Sequence, residues 1–281
     1  MATRLVRSAD LQLWSEDFGD PADSPVLLVM GMCAQGITWP DAFVQQLVDN
    51  GRYVIRYDHR DTGQSDTVDF AARPYTLGDL TRDAAAVLDA HELDSAHIVG
   101  ASMGGMIGQL LALRHPERVR TLTTIMSTPV AGDRSQLPPP SQEFLRTTAE
   151  AAKAPPTNRA ERIEHGLRIS RVLAGSLPFD EDEVRRNTER ALDRSRRPGS
   201  ELNHQQAINS TGPAEDQTLA AITTPTLVIH GTEDPLLPLA HGEVLAERIT
   251  DSQLIRVEGM GHSLPAPVQD RIAKATLDHT S

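Results

Sequence analysis

Gly100-Ala101-Ser102-Met103-Gly104 is a G-x-S-x-G motif between an apolar strand pattern, His97-Ile98-Val99-Gly100, and a helical pattern from Met103 to Arg114. That setting places a serine on a sharp strand-to-helix turn, where glycines two residues to either side leave room for the backbone. The plain alternative is a glycine-rich turn packing a helix onto a strand, and the flanking elements favour the chemical reading. A serine hydroxyl is a weak nucleophile at neutral pH and needs an adjacent base. His230-Gly231-Thr232-Glu233-Asp234-Pro235 follows the strand pattern that starts at Thr226, and Gly259-Met260-Gly261-His262 follows the one that starts at Leu254. Serine, acid and histidine thus come in the chain order of a nucleophile-elbow enzyme, at strand ends along one sheet edge. The expected roles are Ser102 as nucleophile, His262 as general base and Asp234 as the acid that fixes the imidazole tautomer. Glu233 competes for the acid role, but alternation puts it on the other face of its turn. Asp58 also follows a strand, but it precedes the serine and so has the wrong order.

A tetrahedral intermediate needs donors for its oxyanion. One is the backbone N–H after the nucleophile, here Met103, and the second belongs to the loop after Pro25-Val26-Leu27-Leu28-Val29-Met30, where Met32 is the natural position. Both methionines could equally be core packing, but the donor role belongs to the backbone. Cys33 reads as a small buried apolar residue. The remaining histidines have duller readings: His59, His91, His97, His115 and His241 in turns, caps or surfaces, His165 and His204 in a polar stretch, and His279 in the tail. No H-E-x-x-H or paired Cys/His spacing occurs, so no metal is expected. Gly259 and Gly261 begin a G-x-G-x-x-G, but position 264 is Leu, and there is no Walker-type loop. No cofactor is expected.

The elements that must position these residues read as strands alternating with helices, the pattern of an α/β fold with a parallel sheet and crossover helices. Strands are predicted over Arg4 to Ser8, Leu11 to Glu16, Pro25 to Met30, Tyr53 to Tyr57, His97 to Gly100 and Leu122 to Met126. Helices are predicted over Asp41 to Val48, from a Thr76 cap to about His91, and over Met103 to Arg114. Composition then shifts to a polar, Arg/Glu-rich, helical stretch containing Pro138-Pro139-Pro140, with Phe144 and Phe179 its only aromatics. Strands return at Thr226 to His230 and Leu254 to Val257, and a helix from Val268 to Asp278 closes the chain. Sheet patterns on both sides favour a cap inserted at residues 130–213 into a core of residues 1–129 and 214–281, over an independent helical domain.

The 281 residues, 39% hydrophobic and 23% charged, suit a globular enzyme. A net charge of −12 opposes a nucleic-acid partner, whose phosphates call for lysine and arginine. No apolar run nears the roughly 18 residues of a membrane span, so no membrane partner is expected. The first residues carry basic side chains with no apolar stretch after them, so no secretory signal is expected. A single cysteine allows no intrachain disulfide, and a cytoplasmic location is expected. The oligomeric state is not encoded in any motif.

With these residues in place, the chain resembles the α/β-hydrolase superfamily along nearly its whole length, and within it the bacterial anthracycline methylesterases. The resemblance rests on Leu13-Trp14-Ser15-Glu16-Asp17-Phe18-Gly19-Asp20-Pro21-Ala22-Asp23, Arg56-Tyr57-Asp58-His59-Arg60-Asp61-Thr62-Gly63, Asp69 to Tyr75, and Gly259-Met260-Gly261-His262. It implies a mostly parallel central sheet flanked by helices with an inserted helical cap. It also implies a cofactor-free esterase with the triad Ser102, Asp234 and His262, acting on the methyl ester of a polyketide-derived aromatic small molecule. The same triad serves lactonases, thioesterases and C–C bond hydrolases, and a ligand-binding receptor can keep it; Ser102 argues against the members that use an aspartate nucleophile.

Overall fold

The computed structural model describes residues 2–132, 135–211 and 218–281. Its centre is an eight-stranded sheet: β1 (Ala2–Ser8), β2 (Leu11–Phe18), β3 (Ser24–Val29), β4 (Arg52–Tyr57), β5 (Ala96–Ala101), β6 (Val119–Ile125), β7 (Thr226–Gly231) and β8 (Ser252–Val257). The strand order is β1-β2-β4-β3-β5-β6-β7-β8. β1 pairs antiparallel with β2 and β2 with β4, and every other pairing is parallel.

The central strands are apolar without alternation because both faces of the sheet are covered. Leu27 and Val29 of β3 point into one core cluster, and Val26 and Leu28 into the other. Helices α2 (Leu77–Ala90) and α3 (Met103–Arg114) pack on the first face through Leu80, Val87, Ile107 and Leu111. Helices α1 (Asp41–Asp49) and α9 (Ala266–His279) pack on the second through Phe43, Leu47 and Ile272. Truncating a fully buried leucine such as Leu27 should cost about 2–5 kcal/mol. Thr76 caps α2 in a capping box with Asp79, as its sequence signature suggests.

Between β6 and β7 lie α4 (Gln142–Lys153), α5 (Arg159–Leu173), α6 (Glu181–Arg194) and α7 (Asn203–Ser210). The side chains of Ser141, Asn158 and Asp180 cap the first three. These helices are amphipathic but thinly buried. Exposed pairs such as Arg159–Asp193 at 3.1 Å and Arg185–Glu164 at 2.9 Å join their outer faces, each worth at most about 1 kcal/mol. The expected boundary at residues 213 and 214 falls outside the described residues.

Two differences from expectation have local causes. β6 starts earlier, at Val119, and stops at Ile125, because Met126 has a φ of 45° that leaves the extended region. Helix α8 (Ala240–Arg248) was not expected. Val244 and Leu245 are its only large apolar residues, too few to show a helical period.

Candidate active site

Ser102 sits between β5 and α3 at φ 52° and ψ −117°, a conformation costing about 1–3 kcal/mol for a residue with a side chain. The surroundings hold it there. Its N–H donates to the Ile125 carbonyl at 2.9 Å, and its carbonyl accepts from the Ser127 hydroxyl at 2.8 Å and the Gly105 N–H at 2.9 Å. The turn needs its glycines: a Cβ on Gly104 would lie 2.0 Å from the Val29 carbonyl oxygen, and one on Gly100 2.3 Å from that of Gly104. With β5 and α3 packed so tightly, the hydroxyl stands free of the sheet edge.

β7 and β8 deliver its two partners. The Ser102 hydroxyl lies 3.0 Å from His262 Nε2, and His262 Nδ1 lies 2.7 Å from Asp234 Oδ2. A carboxylate only accepts, so Nδ1 carries the proton and Nε2 presents its lone pair to the serine. Asp234 Oδ1 accepts from the Leu236 and Leu237 N–H groups at 2.9 and 2.8 Å, which fixes the carboxylate plane. Glu233, the alternative acid, is exposed. His230 is buried beneath the pair, 3.6 Å from Asp234 Oδ2, and its ring donates from Nε2 to the Leu237 carbonyl at 2.7 Å. Burial holds its pKa below the ordinary histidine value, so it stays neutral and leaves the carboxylate charge for His262.

Met103 opens α3, so its N–H is among the first four of the helix, which have no intrahelical acceptor. Met32 follows β3 at the same sheet edge, and among the described residues its N–H has no protein acceptor. Cys33 as a whole residue is half-buried, where a small buried apolar residue was expected, but its Sγ faces inward and donates to the Glu201 carbonyl at 3.2 Å. Burial of that thiol, with the Glu201 charge nearby, pushes its pKa up to about 12.

The matching family model, described as alpha/beta hydrolase fold, spans residues 24–265. The chain belongs to the α/β-hydrolase family. The hydrolase is 40% identical to the rhodomycin D methylesterase DauP of Streptomyces sp. (strain C5), in an alignment covering 100% of this chain and 98% of the relative. It is 39% identical, with the same coverage, to the rhodomycin D methylesterase DnrP of Streptomyces peucetius. Among solved structures it superposes on the esterase RhEst1 from Rhodococcus sp. ECU1013 with a TM-score of 0.81, covering 100% of this chain and 98% of that one at 20% identity.

Several buried polar contacts around the loop after β3 have no motif of their own. Arg194 of α6 pairs with the buried Asp58 at 3.0 Å, lies 4.2 Å over the Trp14 ring and donates to Gln35 Oε1 at 2.6 Å. Burial raises the pKa of Asp58, which Arg194 and the N–H groups of Gln64 and Gly36 oppose. His59 and His204, expected in dull surroundings, are both fully buried behind the Met30–Cys33 loop. Only their contacts reveal that position, because polar residues nearby hide it in the sequence. No helix among the described residues is long and apolar enough to cross a membrane.

Proposed function

We propose that the protein is a serine-dependent carboxylic ester hydrolase whose substrate is a methyl ester on a polyketide-like aromatic small molecule. The single observation that carries the chemistry is the Ser102–His262–Asp234 chain of hydrogen bonds at 3.0 and 2.7 Å, in one consistent tautomer. The substrate class rests on the full-length likeness to the two rhodomycin D methylesterases.

In this reading Ser102 Oγ attacks the ester carbonyl while His262 Nε2 takes its proton. The carbonyl oxygen becomes an oxyanion between the Met32 and Met103 N–H groups. His262 then protonates the departing methoxide, methanol leaves, and the acyl group stays on Ser102. Water attacks that acyl-enzyme with His262 again as base, releasing the carboxylic acid and restoring the serine. Asp234 stays ionised throughout and stabilises the imidazolium. All groups are the chain's own, so the reaction calls for no metal or cofactor. Helices α4–α7 act as the cap over this site, and a reducing compartment such as the cytoplasm suits the lone cysteine.

The test is methanol release from a methyl ester of a polycyclic aromatic acid, by the wild type and by Ser102→Ala with its fold checked by circular dichroism. Wild-type turnover with a loss of about 10⁶ in the variant supports the reading. Turnover of aryl acetates but not of the polycyclic ester keeps the mechanism and removes the substrate. Labelling by a serine-directed phosphonate without turnover of any ester would turn the protein into a binding module.

A further inference from the structure

His204 lies on α7, far in sequence from the nucleophile, yet its ring reaches the loop that carries the second oxyanion donor. The Cys33 N–H points at His204 Nδ1 at 3.1 Å, and His204 Nε2 meets the Arg60 carbonyl at 2.8 Å. These contacts agree on one tautomer: Nδ1 accepts from the amide, so Nε2 carries the proton and donates to the carbonyl. Cys33 has a φ of 64°, a left-handed conformation that a side chain disfavours, and the His204 contact holds its amide in place. On the other side of the loop, His59 Nε2 donates to the Met30 carbonyl at 2.9 Å, with its ring edge-on to His204 at 5.6 Å between centroids. Arg60, whose carbonyl anchors His204, is itself held by two 2.7 Å hydrogen bonds to the buried Asp83. His59 directly, and Arg60 through His204, therefore have a job that no motif states: they back the Met30–Cys33 loop.

We infer that His204 is a positioning residue for the oxyanion hole, holding Cys33 so that the preceding Met32 N–H faces the carbonyl oxygen of the substrate. The inference rests on the proposed esterase reading, in which Met32 supplies that donor. It also makes α7 part of the catalytic scaffold as well as a cover.

Two substitutions split the ring's two contacts. In His204→Asn, the amide oxygen takes the place of Nδ1 and can still accept from Cys33, while the contact to Arg60 is lost. In His204→Gln, the amide nitrogen reaches the Arg60 carbonyl and the Cys33 contact is lost. Direct removal of an oxyanion donor costs about 10² to 10³ in kcat, so a displaced donor should cost the Gln variant about 10- to 100-fold with KM nearly unchanged. Binding of an alkylboronic acid, whose tetrahedral adduct puts an oxygen on the same donors, should weaken by a similar factor. His204→Asn should recover most of both. Equal losses in the two variants, or a Gln variant that melts lower but keeps kcat and boronate affinity, would show a purely structural histidine. Should neither variant fold, the unaltered protein still tests the contact on which the inference rests. Cys33 is its sole cysteine, so ¹⁵N-cysteine labelling gives one amide signal, and slow exchange of that amide is expected. Exchange at the rate of an open loop overturns the inference. If Ser102→Ala keeps its activity, the esterase reading itself falls, an outcome distinct from Ser102-dependent turnover that ignores His204.

Discussion

The His262 N–H donates to the Leu173 carbonyl at 2.7 Å, so the residue that follows β8 is tied to the last turn of α5. The grip extends along both segments. Gly175 and Met260 form an antiparallel bridge, and the Ser176 N–H donates to the Gly259 carbonyl at 3.1 Å. The acid loop is held the same way, through the Ser141 N–H on the Pro235 carbonyl at 2.8 Å. Helices inserted between β6 and β7 thus touch the loops that carry His262, Asp234 and, through His204, Met32.

Close backbone approach at this junction makes Gly261 irreplaceable. A Cβ there would lie 2.1 Å from the Leu173 carbonyl oxygen and 2.5 Å from the Gly175 nitrogen, both rigid backbone atoms. Gly261→Ala should lose about 1–3 kcal/mol of stability through forced backbone shifts. Because the shift moves His262, kcat should fall by at least about tenfold as well. Thermal melting and steady-state kinetics check this, and unchanged kinetics would mean that the loop tolerates displacement.

Asp234 and Glu233 separate cleanly by substitution. In Asp234→Asn the Leu236 and Leu237 N–H groups keep the amide oxygen, leaving the amide nitrogen toward His262. The imidazole must then accept at Nδ1 and hold its proton at Nε2, the wrong tautomer for a base. A loss of about 10⁴ in kcat is expected, with the fold intact. Glu233→Gln, at an exposed position, should change kcat by less than about twofold. A reversal of those two results would reassign the acid.

Cys33 should be chemically quiet despite its place beside the site. With its pKa pushed up to about 12 by burial, it carries almost no thiolate at pH 8. Reaction with Ellman's reagent should be at least about 100-fold slower in the folded protein than in guanidinium. Rapid labelling of the native protein would contradict the inward-facing thiol.

Acid should destabilise the fold before the carboxylates titrate. Burial lowers the pKa of His59 to about 3, with the neighbouring His204 adding to the effect, and burial lowers His91 and His97 to about 4. In the unfolded chain these rings take up protons below about pH 6.5. The stability from keeping them neutral is therefore complete above pH 6.5 and declines as the pH falls toward 4. For the fully buried His59 the slope approaches about 1.4 kcal/mol per pH unit. The denaturation midpoint in urea should be lower at pH 5 than at pH 7.5, and an equal or higher one would contradict the assignment.

Much of this architecture is legible in the sequence because it is local. Strand patterns that end at Met30, Tyr57 and Gly100 mark where the sheet's edge must lie, and Ser102 and His262 follow from position relative to those strands. The expected parallel sheet and the α/β-hydrolase family stand as read. What is not legible is carried by long-range contacts between polar residues. His204 and Arg194 sit in a charged segment whose composition resembles solvated helix, and only tertiary structure turns their rings and guanidinium inward. The stretch from Arg56 to Gly63 is visible as a likeness to relatives, but its backing of the Met30–Cys33 loop runs in part through His204, more than a hundred positions away. Helix α8 fails for the opposite reason, having too little apolar content to declare itself.

The central claim is that Ser102 is the nucleophile of an ester hydrolase. Its most direct test is to treat the wild-type protein with a fluorophosphonate, follow esterase activity, and locate the adduct by peptide mass spectrometry. One adduct per chain, on Ser102, with activity falling in step with labelling, is the expected result. An adduct on another residue, or continued hydrolysis after Ser102 is fully labelled, would contradict the claim.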